Sequence, residues 1–454
     1  MKILMHSNNG DGIALAERFK KEGHKVWVYI DVKDCRRMGD NLVDKVDSMM
    51  RGMAENPDCV IFDMSGAGEL ADRLRKAGVK VLGGSAFADK METDRKFGID
   101  LARQYGMKVP ESSDFKDIEE AVKHIKTKPK AYAIKMSGGE SGCASSYVAK
   151  DAEDMLEYIA WQKDRKLIKP GMEFVLQEVI KGVEISTEVW FSDGRPLLPY
   201  NSTFENKKFL PGDLGPNTGC ETSAVFPYLS SNPKIIEKTL RKTFKHMKEL
   251  RWTGPLDVNC IVSERNYEPY FLEWTPRIGY SAIYALAAML EGDLARFFYN
   301  VAHGTFQEVP IKNIWGTSLK LSVSPYPLER PELPDIEHRL YSDIEGMRIN
   351  APEGPNLWLI DAKKSKEGKR VVAGVNGIVA ECTGAGRSLH SAWLTSRSVF
   401  DSVEIPGKMG RYVDGGMRAY KDSKKIKSWG YEAPDPDGSN DAKIDRKRYD
   451  LLRI

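Results

Sequence analysis

A multidomain fold, parallel α/β at its N-terminus and α+β beyond, is predicted by three observations. The chain has 454 residues, more than one hydrophobic core usually serves, so two to four domains are expected. Its first ~85 residues alternate strand-like and helix-like segments, the mark of a parallel sheet. Beyond them the pattern changes to strands joined by glycine-rich turns, with oxygen-bearing side chains at every second position.

In the first domain MKILMHS is strand-like, GIALAERFKKEG an amphipathic helix closed by Gly23, and KVWVYID a second strand. CVIFDMS, ELADRLRKAG and VKVLGG repeat the scheme. The turn from Asn8 to Gly12 ends the first strand and opens the first helix. The N–H groups around Gly10 and Gly12 are expected to bind a substrate phosphate or carboxylate; a turn without ligand is the plain alternative. A dinucleotide fingerprint fits poorly, because Leu15 stands where the third small residue belongs.

Composition narrows the partners. Charged residues make up 29% and the net charge is +3, so neither nucleic acid nor membrane is implied. The apolar part of the first segment is too short for a signal peptide, and no apolar run approaches the ~20 residues of a membrane span. Six cysteines lie scattered, with Cys59 and Cys260 in apolar runs. That usage suits reduced thiols and a cytoplasmic setting. The seven histidines are dispersed, which argues against zinc.

From Phe87 a helix is expected over Lys90 to Tyr105, and another from about Asp117. AYAIKMSGGESGCASSYVA reads as strand, glycine loop, strand, with Lys135 at the strand end and Gly138 and Gly139 just past it. A lysine there can meet phosphate oxygens while the loop closes over them; a hairpin with an exposed lysine is the simpler reading. EFVLQEVIKGVEIS offers an extended edge for an adenine, through Gln177, Glu178 and Ile180, and Glu184 for ribose hydroxyls. GPLDVNCIV carries Asp257 and Asn259 in alternation, hence on one face. YFLEWTPRIG places Glu273 at the end of the next strand, followed by Arg277. Carboxylate and amide oxygens on neighbouring strands suit Mg²⁺, with Mn²⁺ as its substitute, bound together with nucleotide phosphates. Ordinary surface acids on a hairpin would give the same spacing.

The order of these segments resembles that of ATP-grasp enzymes: lysine strand, glycine loop, E-x-x-x-G-x-E, then E-x-x-P-R. GDLGPNTGCET (Gly212 to Thr222) narrows the likeness. It resembles the G-D-x-G-P-N-T-G-G-M-G motif of the phosphoribosylamine–glycine ligase family, a long and specific string. FENKKF stands in for that family's Q-D-H-K-R, keeping Lys207, and Arg95 falls where it has a lysine. GKRVVAGVNGIVAECTGAGRS and GRYVDGGMRAY extend the likeness, which covers about residues 1–420.

The resemblance implies an N-terminal α/β (pre-ATP-grasp) domain over 1–86, an ATP-grasp domain over 87–316 with a lid-like part at about 110–185, and a small C-terminal α+β domain over 317–420. Residues 421–454 are read as a charged, extended appendage. ATP and Mg²⁺ are the implied cofactors, with Arg95, Lys135 and Glu184 toward ATP and Glu273 with Asp257 or Asn259 toward the metal. Arg277 and Lys207 are the implied catalytic residues. Asp213, Gly215, Pro216, Asn217 and Thr218, with Gly10 and Gly12, are implied toward substrate. The implied reaction is amide formation through an acyl phosphate, with glycine or another small amino acid as carboxylate. In the family the acceptor is phosphoribosylamine, in purine synthesis.

The departures cluster on the acceptor side. Asn9-Gly10-Asp11-Gly12-Ile13 replaces the family's G-G-R-E-H, and Met64-Ser65-Gly66-Ala67-Gly68 replaces G-P-E-x-P-L. The glycine loop loses a lysine, and Thr275 replaces an asparagine. Nucleotide chemistry is therefore expected to persist while the acceptor stays open between phosphoribosylamine, another sugar or nucleotide amine, and a second amino acid, the altered loops favouring a changed acceptor outside purine synthesis. The rival readings are a biotin-carboxylase-like or kinase-like ATP-grasp enzyme and a non-catalytic ATP-binding homologue. The expected partners are small molecules (amino acid, amine, ATP), and the expected assembly is a monomer or homodimer.

Overall fold

Five parallel strands open the computed structural model, which describes residues 1–136, 146–165, 168, 174–305, 308–328 and 334–438. They run as β1 (Lys2–Ser7), α1 (Ile13–Lys21), β2 (Lys25–Ile30), β3 (Asp44–Lys45), α2 (Met49–Met53), β4 (Cys59–Phe62), α3 (Gly68–Lys76) and β5 (Val81–Leu82). The strand order is β3-β2-β1-β4-β5. Alternation along β1 sends Ile3 and Met5 to the core shared with α1, and Leu4 to a second core with Phe62 and Ala71. Side chains at successive positions leave a strand on opposite faces, so one sheet supports helices on both sides.

Two helices follow, α4 (Ala86–Thr93) and α5 (Arg95–Gln104), where a single helix from Lys90 to Tyr105 was expected. Asp94 divides them. Its backbone is extended, and its side chain accepts from the Phe97 amide at 3.0 Å, so it caps α5 instead of continuing α4.

Next comes a four-stranded antiparallel sheet in the order β6-β9-β7-β8, made of β6 (Ser112–Phe115), β7 (Tyr132–Met136), β8 (Ser146–Val148) and β9 (Phe174–Glu178). It packs on α6 (Ile118–Thr127) and α7 (Ala152–Asp164) around Ile125, Ile134, Met155 and Phe174.

All but two of the remaining strands form one ten-stranded sheet. Its first part contains β10 (Gly182–Ser192), β11 (Arg195–Pro196), β12 (Asn201–Leu210), β13 (Leu214–Pro227), β14 (Gly254–Ser263) and β15 (Pro269–Thr275), with α8 (Lys234–Lys238) and α9 (Phe244–Glu249) between β13 and β14. After α10 (Ala282–Met289) and α11 (Leu294–His303) come β16 (Trp315–Val323), α12 (Pro334–Ser342), β17 (Leu357–Leu359), β18 (Ala362–Lys364), β19 (Arg370–Val372), β20 (Ile378–Gly386), α13 (Leu389–Ser402), β21 (Lys408–Met409) and α14 (Gly415–Ser428). The main path is β15-β14-β10-β12-β13-β16-β20-β17. Outside this sheet, β18 and β19 pair with each other. No described helix is long and apolar enough to cross a membrane.

Two expectations differ from this architecture. The boundary read after residue 316 falls inside β16, whose Gly316–Leu319 pair with β13 while the strand also pairs with β20. The appendage read from Lys421 is helical to Ser428, with Ile426 buried, and Tyr431 then donates its hydroxyl to the Tyr267 carbonyl. Single apolar anchors spaced this widely leave no periodic trace in sequence.

Candidate active site

The polar face of the large sheet gathers Glu184, Ser186 and Glu188 on β10 with Asp257 and Asn259 on β14. Asp257 lies opposite Glu188, Asn259 opposite Ser186, and on the far side Asn259 pairs with Glu273 of β15. Gly182 is required at the start of β10, because a Cβ there would lie 2.0 Å from the Val262 carbonyl oxygen. Close approach at that point sets Glu184 over β14, and the Asn259 amide donates to Glu184 Oε1 at 3.2 Å.

Asp257 Oδ1 and Asn259 Oδ1 are buried and have no hydrogen-bond partner in the structure, while Ser186 donates to the other Asp257 oxygen. Leaving buried oxygens unmatched costs on the order of 1–3 kcal/mol each. Two such oxygens beside the Glu273 carboxylate form an all-oxygen donor set that fits a hard divalent cation. Burial, reinforced by the neighbouring Glu188 charge, pushes the Asp257 carboxyl well above its ordinary range, so positive charge nearby would favour its ionised form.

Lys207 crosses this face from β12. Its Nζ lies 2.9 Å from Glu184 Oε1 and 2.9 Å from Glu273 Oε1. Burial alone would lower its pKa, but Glu273, Glu184 and Glu205 together hold it well above the ordinary lysine value. Glu205, two residues earlier on the same face, is pushed up to about 7 by burial, with Lys207 opposing. Arg277 follows β15 and donates through Nε to Glu92 Oε1 at 3.1 Å, with a second nitrogen at 3.0 Å. Glu92 belongs to α4 and also accepts the Ser65 hydroxyl. Arg95 begins α5, close enough to feel the Glu273 charge.

The expected phosphate segment is only partly described. Lys135 lies in β7 opposite Val175, and Gly138 and Gly139 lie outside the described residues. Gln177, next to last in β9, is buried. The Glu178 carboxylate lies 3.3 Å from Lys130, its amide donates to the Glu111 carbonyl, and Ile180 sits in the short crossing to β10. The Glu178 and Val179 amides are thus already engaged, by the Glu111 and Ala131 carbonyls.

The GPNTG segment forms the end of the β12–β13 hairpin. Thr218 is buried and donates to the Lys207 carbonyl at 2.9 Å, bracing the strand that carries the lysine. Gly215 and Pro216 are exposed at the tip, and Asn217 pairs with Lys208. Asp213, expected toward substrate, spends its carboxylate on Arg411 and Arg418, which makes it an anchor of the hairpin. The N-terminal turn also differs from expectation. The Gly10 and Gly12 amides both donate to Ser7 Oγ at 3.2 Å, and Ser7 donates to Asp63. A Cβ at Gly12 would lie 2.6 Å from Asp63 Oδ2. Asp63 is fully buried, and that burial pushes its carboxyl up to about 7. The cradle read as an anion site thus already holds an acid.

Several site residues escaped the sequence reading. Glu205 had a usable signal, its alternation with Lys207. Glu92 had none, standing 185 positions from Arg277. A third group, Lys320, Glu221 and Glu381, is buried where β13, β16 and β20 meet, with half-buried Tyr326 beside it. Tyr326 donates to Glu221, and Ser281 donates to Glu381.

Comparison with known proteins agrees with this architecture. Residues 93–281 match the family model described as phosphoribosylglycinamide synthetase, ATP-grasp (A) domain. A chloroplastic phosphoribosylamine–glycine ligase of Arabidopsis thaliana is 25% identical over 364 residues, covering 78% of this chain and 66% of that protein. The phosphoribosylamine–glycine ligase of Leptospira interrogans is 26% identical over 362 residues, covering 77% and 80%. The crystal structure of the Thermotoga maritima phosphoribosylamine–glycine ligase superposes with a TM-score of 0.68 at 21% identity, covering 91% of this chain and 99% of that one. Residues 93–281 thus match an ATP-grasp domain, and the chain as a whole is similar in sequence and fold to phosphoribosylamine–glycine ligases.

Proposed function

We propose that the chain is an ATP-dependent carboxylate–amine ligase that joins glycine, or another small amino acid, to an amine. The observation that carries this reading is the polar sheet face. Lys207 lies between Glu184 and Glu273, beside the unpartnered oxygens of Asp257 and Asn259. Mg²⁺ held by Glu273 with Asp257 or Asn259 would neutralise phosphate charge.

In the reaction, a carboxylate oxygen of the amino acid attacks the γ-phosphorus of ATP and the bond to ADP breaks, giving an acyl phosphate and ADP. The amine nitrogen then attacks the acyl carbon, phosphate departs and the nitrogen releases a proton, leaving an amide. Lys207 and Arg277 supply fixed positive charge to the phosphoryl oxygens as they move, which is where preorganised cations lower the barrier most. Arg277, a planar guanidinium held by Glu92, keeps its orientation through both steps. In this reading Glu184 would accept from ribose hydroxyls, and the crossing at Glu178–Ile180 would meet the adenine edge.

The acid beneath the Gly10–Gly12 turn supports an acceptor other than phosphoribosylamine, outside purine synthesis. The test is ADP release with Mg-ATP across a matrix of amino acids and amines, with Glu273→Gln as control. Amino-acid-dependent ADP release with amide product is expected. ATP binding without turnover under every pair would refute the ligase reading.

A further inference from the structure

The amide-forming step of the proposed reaction leaves a proton to be removed from the attacking nitrogen, and one carboxylate of the site has no other partner. Glu205 lies half-buried on β12, and among the described residues its carboxylate makes no hydrogen bond or ion pair. The other acids of this face are engaged. Glu184 meets Lys207 and the Asn259 amide, and Glu273 meets Lys207. Glu188 accepts from Trp190 and Asn201, and Asp257 accepts from Ser186. Glu92 is taken by Arg277 and Ser65.

Register fixes where Glu205 points. Ser186 of β10 pairs with Thr203 of β12. Glu184 stands two positions before the first and Glu205 two after the second, so both leave the sheet on the same face. On its other side Glu205 pairs with Ser223 of β13, which brings no charge. β10 separates β12 from β14, so Glu205 stands to one side of the proposed metal set. It feels the positive charges of Lys207 and Arg277 against the negative ones of Glu184 and Glu273. In the proposed reaction those two cations attend the phosphoryl oxygens. A free carboxylate beside them repels phosphate and can only accept, which suits the N–H of an arriving amine.

We propose that Glu205 is the base of the second step, accepting the proton of the acceptor amine as its nitrogen attacks the acyl phosphate. The nitrogen lone pair forms the bond to the acyl carbon. The N–H bond breaks with its electron pair kept by nitrogen, and the proton passes to a Glu205 oxygen. Phosphate leaves with the pair of the acyl C–O bond. The carboxyl, which burial pushes up to about 7, then returns the proton to water. This assignment rests on the ligase reading, but the step it claims is separable from acyl-phosphate formation.

The test uses the full chain with Mg-ATP and glycine, alanine or serine. Scrambling of label in ATP carrying a labelled β,γ-bridge oxygen reads acyl-phosphate formation with no acceptor present. Hydroxylamine, uncharged at neutral pH, reads capture of the acyl phosphate as hydroxamate. Ammonium chloride, whose nitrogen must first lose a proton, reads amide formation. Glu205→Gln is expected to keep scrambling and hydroxamate within about twofold while amide formation falls about 10²-fold, and Glu205→Asp to recover part of that loss. The proposal is overturned if amide formation survives Glu205→Gln, or if scrambling and hydroxamate fall with it, the signature of a binding or structural role. It is also overturned if the wild-type chain makes hydroxamate but no amide at any ammonium concentration. A wild-type chain that neither scrambles label nor makes hydroxamate sinks the ligase reading, and the base with it.

Discussion

Lys207 and Glu273 hold opposite charges 2.9 Å apart, and each has a neighbour that would be left uncompensated without it. Glu273→Gln removes one carboxylate from the proposed metal set, so metal-dependent ADP release is expected to fall on the order of 10²–10³-fold, with the ATP-binding isotherm recorded beside it. Glu381 supplies a pH prediction. Burial pushes its carboxyl up from the usual 4.5 to about 8, against the pull of Lys320. Between those values the folded chain keeps a proton that the unfolded chain has released, so this contribution to stability is full below about 4.5 and is lost as pH rises through about 8. Urea midpoints measured across that range should therefore fall less steeply in Glu381→Gln, by a difference on the order of 1–3 kcal/mol. At this scale the sequence disclosed what period-two alternation encodes, namely Asp257 and Asn259 on one face and Glu273 beside them. It could not disclose Glu92 or Asp63, because their roles come from partners far along the chain.

The β12–β13 hairpin shows how an element is fixed from outside itself. Arg411 is 1% exposed, pairs with Asp213 and Asp414, and donates to the Lys208 carbonyl at 3.1 Å. Asp414 also accepts the Gly212 amide. Arg411→Ala removes these contacts and leaves the Lys208 carbonyl without its donor, while both aspartates stay solvated, so it is expected to cost about 1–3 kcal/mol in denaturant unfolding. Arg411→Lys should recover only part of this, since an ammonium cannot reproduce the fork of contacts. The hairpin was readable as a motif, GDLGPNTG. Its anchoring was not, because the arginines lie some 200 positions later. Asp94 is a comparable case. An N-cap inside an apparently continuous apolar pattern splits one expected helix into α4 and α5.

Across the whole molecule, Cys59, Cys220, Cys260 and Cys382 are buried free thiols, and Cys35 is half-buried. Burial pushes Cys59 and Cys220 up to about 12, which suppresses the thiolate that reacts. The four buried thiols are therefore expected to react with a disulfide reagent only as fast as the chain opens. Mass-spectrometric mapping after partial labelling checks this, with Cys35 ahead of those four. The parallel N-terminal domain was legible from its alternating elements, and the strand-rich centre from its glycine-punctuated runs. The join near residue 316 was not, because a strand that pairs with both neighbours carries no linker composition.

That join constrains how such a chain can diversify. With β16 hydrogen-bonded to β13 on one side and β20 on the other, the C-terminal third is not a detachable cassette. A fragment ending before it would present the naked edge of β13, a template for self-association. A lineage exchanging this part for another would have to import a strand of matching register with it. The N-terminal sheet, with pairing complete within itself, carries no such obligation.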